Sequence, residues 1–143
     1  MNKYCVSLKT AKALKQAGFP QENSSRYYCG GHTMYFEDQE NGKFEDCENT
    51  DLLQEDEYCH TAGLVCDFFL AAPIAEEILK ELPAQYEEGA TKPWLTCAKN
   101  RANEFEVGYM TTKAGFIDGH ITNKSLAEAA AICWIYLKKN NLI

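Results

Sequence analysis

The chain has 143 residues, enough for one domain with a buried core. Apolar residues make up 45% of it and charged residues 24%, so a collagen-like, coiled-coil or disordered chain is not expected. Its 21 acidic and 14 basic residues leave a net charge of −7, which disfavours general binding to nucleic acid and to acidic lipid surfaces.

The short, interrupted apolar stretches and the cysteine count favour a cytoplasmic location. No uninterrupted apolar segment follows Lys3, so a secretory signal is not expected. The longest apolar stretch, residues 62–75, is interrupted by Asp67 and Pro73 and is too short to span a bilayer. Seven cysteines, an odd number, argue against a disulfide framework. We therefore predict a soluble, cytoplasmic protein without membrane contact.

The first quarter of the chain predicts a helix followed by sheet. Residues 7–17 carry apolar side chains at helical spacing, and Ser7 suits the N-cap. Residues 26–36 are aromatic and β-prone. Within them, Gly30 and Gly31 indicate a tight hairpin or a β-bulge.

The next segment is strongly acidic. Ten of the positions in 37–57 are Asp or Glu, and Lys43 is the one base among them. We interpret it as an irregular acidic insertion at about 37–60, with a short strand near 43–47.

The following elements alternate between strand and helix. Residues 64–70 predict a buried strand, and Pro73 suits the first turn of a helix that ends before Pro83. Residues 94–98 and 104–111 predict further strands. The second of these alternates apolar with polar residues or glycine, as in a sheet with one solvent-exposed face.

The C-terminal region predicts a helix with clear signals. Residues 115–121 are either a short strand or a loop. Ser125 and Glu128 have the spacing of a capping box, and a broad apolar stripe follows as far as Leu137.

Taken in order, these elements predict one domain over residues 1–143. Its class is α+β, with an antiparallel or mixed sheet and helices packed on one face.

Three segments carry a resemblance to known proteins. They are Tyr4–Phe19, Ala72–Pro83 and Ser125–Lys138. In this order they resemble small uncharacterised proteins encoded by phages, prophages and mobile elements of gut Bacteroidetes and related bacteria. The resemblance spans most of the chain but not residues 29–60. It implies a fold and an accessory role, and it brings no catalytic residues.

A structural zinc site is the main chemical alternative. Structural zinc takes four Cys or His ligands, usually as two close pairs on tight turns. Cys29 and His32 have the spacing of a first pair, but no second pair of that kind follows. The remaining candidates are Cys47, Cys59, His60 and Cys66. The competing interpretation is that the thiols are buried and the imidazoles lie on the surface.

Other chemistries have weaker signals. Residues 37–48 follow an EF-hand loop only in part, because Glu and Gln stand where Asp or Asn is expected. No nucleophile or phosphate-loop motif is present, so we assign no catalytic residue and no cofactor, and lean against an enzyme without excluding one. Base stacking on the aromatic residues of 26–36 is disfavoured by the acids that follow them.

The acidic segment itself is the candidate functional surface. Dense carboxylates can dock a partner with a basic surface, so we predict a protein–protein interaction, with the protein a monomer or homodimer. A solubilising loop is the competing interpretation. The candidate docking residues are Glu45, Asp46, Glu48, Asp51, Glu55, Asp56 and Glu57.

Overall fold

The computed structural model describes residues 4–22, 24–34, 51–54, 64–87, 89–113, 115–116 and 120–143. For residues 29–34, 51–54 and 64–69 the description is of the backbone. Within these ranges the chain forms three helices and seven strands. In chain order they are α1 (Leu8–Gln16), β1 (Arg26–Met34), β2 (Asp51–Gln54), β3 (Leu64–Ala71), α2 (Ala75–Glu81), β4 (Trp94–Lys99), β5 (Phe105–Thr111), β6 (Gly115–Phe116), β7 (Ile121–Asn123) and α3 (Leu126–Lys139).

The described strands form two antiparallel sheets, and helices pack against them, so the α+β prediction is confirmed. The first sheet has the order β2-β1-β3. The expected hairpin or bulge at Gly30-Gly31 is wrong, because β1 continues through both glycines and Gly30 pairs in register with Phe68 of β3. The long antiparallel ladder with β3 satisfies the backbone groups that a turn would have interrupted.

The second sheet is built around β5. Strand β4 pairs with one edge of β5, while β6 and β7 pair with successive parts of the other edge. The segment between α2 and β4 covers the start of β4, since the Leu95 N–H donates to the Ala84 carbonyl at 2.8 Å. The region of 115–121, expected as a strand or a loop, therefore contributes two short strands on either side of residues 117–119.

Helix α3 lies at the centre of the fold. It packs on β5 and β7 and also contacts α1 and α2. Its apolar stripe is wider than the sequence pattern predicted, because small alanines allow close approach on several sides. The buried residues of α3 are Ala127, Ala129, Ala130, Ala131, Cys133, Trp134 and Leu137. The Trp134 ring meets Phe19, which follows α1, edge to face at 5.1 Å.

The start of α2 differs from the prediction. Pro73 does not lie in the first turn, since the helix begins at Ala75 after an N-cap at Ile74. The Pro73 carbonyl accepts from the Val6 N–H at 3.2 Å, and Cys5 pairs with Ile74 as an isolated bridge. This pairing holds the residues before α2 in an extended conformation.

The caps of the other helices are partly as predicted. Ser7 is the N-cap of α1 and accepts from the Thr10 N–H, as expected. The capping box of α3 is only half formed. The Ser125 hydroxyl accepts from the Glu128 N–H at 3.4 Å, but the Ser125 N–H donates to the Asn123 side chain at 2.8 Å. The Glu128 carboxylate instead reaches α1.

In the ranges that the structure describes, no helix is long and apolar enough to cross a membrane. The short strand predicted at 43–47 lies outside the described residues.

Candidate functional site

The acidic docking residues are mostly outside the described ranges. Asp51 begins β2, and its backbone pairs in register with Cys29 of β1. The other six, Glu45, Asp46, Glu48, Glu55, Asp56 and Glu57, lie in residues 35–50 and 55–63, which the structure does not describe. The structure does describe the two strands that residues 35–50 connect, β1 and β2, which pair with each other.

The zinc candidates divide in the same way. Cys29 and His32 both lie in the regular strand β1, so the tight turn that structural zinc pairs use is not found there. Three residues of extended strand separate their Cα atoms by about 10 Å. His32 is instead the register partner of Cys66 in β3. Cys47, Cys59 and His60 lie outside the described residues. Within the described part, no three His, Cys, Asp or Glu side chains form a group that could hold a metal ion.

The cysteines with described side chains are not activated nucleophiles. Cys5 and Cys133 are buried, and Cys97 is exposed on β4. Burial raises the pKa of Cys133 to about 12 and also raises the pKa of Cys97. Burial is likewise the main cause of the raised pKa of Cys5. A reactive thiolate needs the opposite shift, so these three thiols are protonated near neutral pH.

Cys5 belongs to a small polar contact at the start of the chain. The Tyr28 hydroxyl donates to the Val6 carbonyl at 2.8 Å and is hydrogen-bonded to the Cys5 thiol. Burial, with a smaller contribution from Cys5, raises the pKa of Tyr28 to about 12. The contact therefore joins two neutral groups and fixes the segment before α1 to β1.

The four-stranded sheet has an outer face, which points away from the helices and carries partly exposed aromatic residues. Val107 and Tyr109 of β5 are buried against the helices, so the alternate residues of β5 lie on the opposite face. Register partners share a face, and they give three cross-strand rows. The rows are Trp94, Met110 and Phe116; Thr96 and Gly108; and Ala98, Glu106 and Thr122.

The first of these rows is apolar and accessible. Trp94 is 36% exposed, while Met110 and Phe116 are half-buried. The Phe116 ring stacks on the His120 ring at 4.2 Å with an interplanar angle of 19°. His120 Nε2 is buried and has no hydrogen-bond partner among the described residues. The row is thus a fixed aromatic platform on one end of the sheet.

A close backbone approach holds this platform in place. A methyl group added at Gly108 would lie 2.9 Å from the His120 Cα and 3.3 Å from the Phe116 ring. Only glycine lets the chain leading into β7 pass this close to β5.

The sequence pattern partly predicted this face. The alternation in 104–111 predicted a solvent-exposed face containing Glu106 and Gly108, and extending it by two residues adds Met110. Trp94 and Phe116 were missed as neighbours of Met110, because strand register is set by long-range pairing that a single sequence does not display.

No family model, curated protein or solved structure matches the chain. Function is therefore inferred from the residues and their geometry.

Proposed function

We propose that this is a small accessory protein that acts by binding a protein partner with a basic surface through its acidic segment, residues 37–57. The concentration of charge carries the proposal: ten of the chain's 21 acidic residues lie in this segment, with Lys43 as its one base.

The attachment of the segment supports the proposal. Its greater part connects β1 to β2, which pair from Arg26 opposite Gln54 to Cys29 opposite Asp51. A segment held at both ends by a sheet has less conformational entropy to lose on binding than a free tail. Residues 37–50 are therefore tethered at both ends, whereas Glu55, Asp56 and Glu57 follow the other end of β2.

The expected energetics follow from the charge. Clustered carboxylates raise the rate of encounter with a basic surface and exclude acidic partners. Salt screens this attraction with a Debye length of about 10 Å at 0.1 M. Binding that depends on the segment should weaken as salt is added.

The resemblance described above supports a biological setting. We propose that the protein is encoded by a phage or another mobile element of a gut bacterium and works in the host cytoplasm. A small accessory protein in that setting acts by occupying a surface of host or phage machinery.

The test is affinity capture with three forms of the protein. One is native, and one has the seven docking residues changed to Gln or Asn: Glu45, Asp46, Glu48, Asp51, Glu55, Asp56 and Glu57. The control removes charges from exposed described positions instead: Glu22, Glu76, Glu81 and Glu87. We expect a specific partner to be lost from the seven-site variant and kept by the control. Capture of every partner by all three forms would refute the proposal.

The alternative is a structural zinc site within residues 29–66. One observation favours it: His32 and Cys66 are direct register partners, which brings two of the candidate ligand positions onto adjacent strands. A native mass spectrum of the reduced protein tests this alternative. A mass increase of one zinc per chain, lost with a chelator, would support the site. The variants His32→Ala and Cys66→Ser should then lose the bound zinc. The same spectrum distinguishes monomer from homodimer.

A further inference from the structure

We propose that the uncovered side of α3 binds the same side of α3 in a second copy of the chain, so that the two helices pack antiparallel. The residues involved are not those of the acidic segment, and the inference goes beyond the function proposed above. It starts from Ile132, which is 37% exposed although its neighbours Ala131 and Cys133 are buried.

Helix α3 has one uncovered side. Elements α1, α2, β5 and β7 pack on it, and seven of its residues are buried. Successive side chains of an α-helix are rotated by about 100°, which gives a sector about 100° wide that contains no buried residue of α3. The side chains in this sector, which we call the α3 stripe, are Glu128, Ile132, Ile135, Tyr136 and Lys139.

The middle of the α3 stripe is apolar. The outer side of a surface helix normally carries charged or polar residues. Here Ile132 is exposed, Ile135 and Tyr136 are half-buried, and α3 has no charged residue between Glu128 and Lys138. A second surface that removes these side chains from water would gain free energy from the hydrophobic effect.

The spacing of the stripe fits a second helix. Glu128, Ile132, Ile135 and Lys139 follow one another at intervals of four, three and four residues. This alternation places side chains along one edge of a helix, where they pack against another helix at an interaxial distance of about 8–10 Å. The 14 residues of α3 provide a contact about 21 Å long.

The charges of the stripe are complementary to the same stripe in reverse. In an antiparallel pair with its two-fold axis midway between residues 133 and 134, Ile132 lies opposite Ile135 of the second copy. Glu128 then lies opposite Lys139 of the second copy, and the symmetry produces each pair twice. A parallel pair would instead place Glu128 against Glu128 and Lys139 against Lys139. Charge therefore favours a second copy in the antiparallel orientation.

The Glu128 carboxylate is held in position before a second copy arrives. It accepts from the Ser7 N–H and from the Thr10 hydroxyl of α1. Two carboxylate oxygens have about four acceptor positions, so the carboxylate can also accept from a lysine. A fixed side chain loses little entropy on association.

The contact of one helix from each copy is smaller than a standard protein interface, so we expect a weak dimer with a dissociation constant of about 10–100 μM. Sedimentation velocity from about 5 to 500 μM protein would measure it. A salt concentration of about 0.15 M screens the net charge of −7 on each copy, which opposes association. Reductant prevents a disulfide through the exposed Cys97 from imitating the dimer.

Variants assign the dimer to the α3 stripe. Ile132→Asp should weaken the dimer at least about tenfold, because it introduces a charge at the apolar centre. Lys139→Glu should weaken it at least about fivefold by opposing Glu128 of the second copy. The matched control is Lys138→Glu, since the Lys138 ammonium lies 5.4 Å from the centre of the Trp134 ring, outside the stripe, and this variant should dimerise like the native protein. Circular dichroism checks that each variant is folded, and Lys139→Glu tests the stripe even if Ile132→Asp does not fold.

Three results would overturn the proposal. One is a native protein that stays monomeric up to about 500 μM, well above the expected dissociation constant. Another is a dimer that the folded Ile132→Asp variant leaves unchanged, and loss of that dimer in Trp94→Ala would assign it to the outer face of the four-stranded sheet. The last is equal dimerisation of Lys139→Glu and Lys138→Glu, which would exclude the antiparallel pairing of Glu128 with Lys139.

Discussion

The Glu128 carboxylate on the first turn of α3 accepts a hydrogen bond from the Thr10 hydroxyl of α1 at 2.5 Å. The same carboxylate accepts from the Ser7 N–H, a backbone donor that α1 itself leaves unpaired at its start. A negative charge at this position also complements the dipole of α1. One side chain thus joins the first turns of two helices that are far apart in the sequence.

We predict that Glu128→Ala lowers the free energy of unfolding by about 1–3 kcal/mol, because two donors lose a charged acceptor. Glu128→Gln should lower it less, since an amide oxygen still accepts a hydrogen bond. Urea unfolding followed by tryptophan fluorescence measures both. The matched control is Glu76→Gln, which removes an exposed pair with Lys80 at 2.9 Å and should leave stability nearly unchanged. Equal stabilities for Glu128→Ala and Glu76→Gln would contradict this role.

We predict that Gly108→Ala destabilises the second sheet by about 1–3 kcal/mol through overpacking. The added methyl group would lie 2.9 Å from a backbone atom, the His120 Cα, which no rotamer change can move. His120→Ala should therefore fail to rescue Gly108→Ala in a double variant. Thermal unfolding of the single and double variants checks this, and full rescue would show that the side chain, not the backbone, makes the close contact.

The helices and most strands were predictable because their signals are local. Ser7 as a cap, the apolar spacing of α3 and the alternation in β5 all act over a few residues. The partner of Glu128 was not predictable. The capping-box pattern assigns this carboxylate to the start of its own helix, whereas the Thr10 hydroxyl that it accepts from is 118 residues away in the sequence. The same limit applies to Gly30-Gly31, whose turn preference is overridden by pairing with β3.

We predict that native-state alkylation of the described cysteines follows exposure. Cys97 should react well before Cys5 and Cys133, which are 3% and 1% exposed. Raised pKa values keep all three thiols protonated near neutral pH, so access decides the order. Mass spectrometry of peptides after timed alkylation gives the rates, with the urea-unfolded chain as the control. Reaction of Cys133 as fast as Cys97 in the folded protein would contradict its position in the core.

We predict that stability falls in alkaline solution. The pKa of Cys133 is raised from 9.0 to about 12 and that of Tyr28 from 10.0 to about 12, in both cases mainly by burial. Between the unfolded and folded pKa values of each group, the unfolded chain has lost a proton that the folded chain retains. The free energy of unfolding is therefore at its full value below pH 9 and falls progressively toward pH 12. Each such group contributes a slope of about 1.4 kcal/mol per pH unit.

Urea unfolding at a series of pH values measures this slope. Cys133→Ala should be less stable than the native protein near neutral pH but should show a shallower decline above pH 9. An identical slope for both proteins would show that Cys133 does not contribute.

The candidate surfaces were predictable to different degrees. The sequence alone identifies the acidic segment, because its ten Asp and Glu residues are clustered within residues 37–57. The aromatic row depends on register, because Trp94, Met110 and Phe116 come from three strands and meet only when the sheet is assembled. Side chains contributed by separate strands have no local signature of their proximity.

The most direct test of the central claim is the salt dependence of binding to a purified partner obtained by affinity capture. The native protein and the seven-site neutral variant would be titrated at several salt concentrations. If the acidic segment is the docking surface, affinity of the native protein falls steeply as salt rises above about 0.1 M, while the variant binds weakly with a nearly flat dependence. Equal affinities and equal salt slopes for the two proteins would show that the partner docks elsewhere.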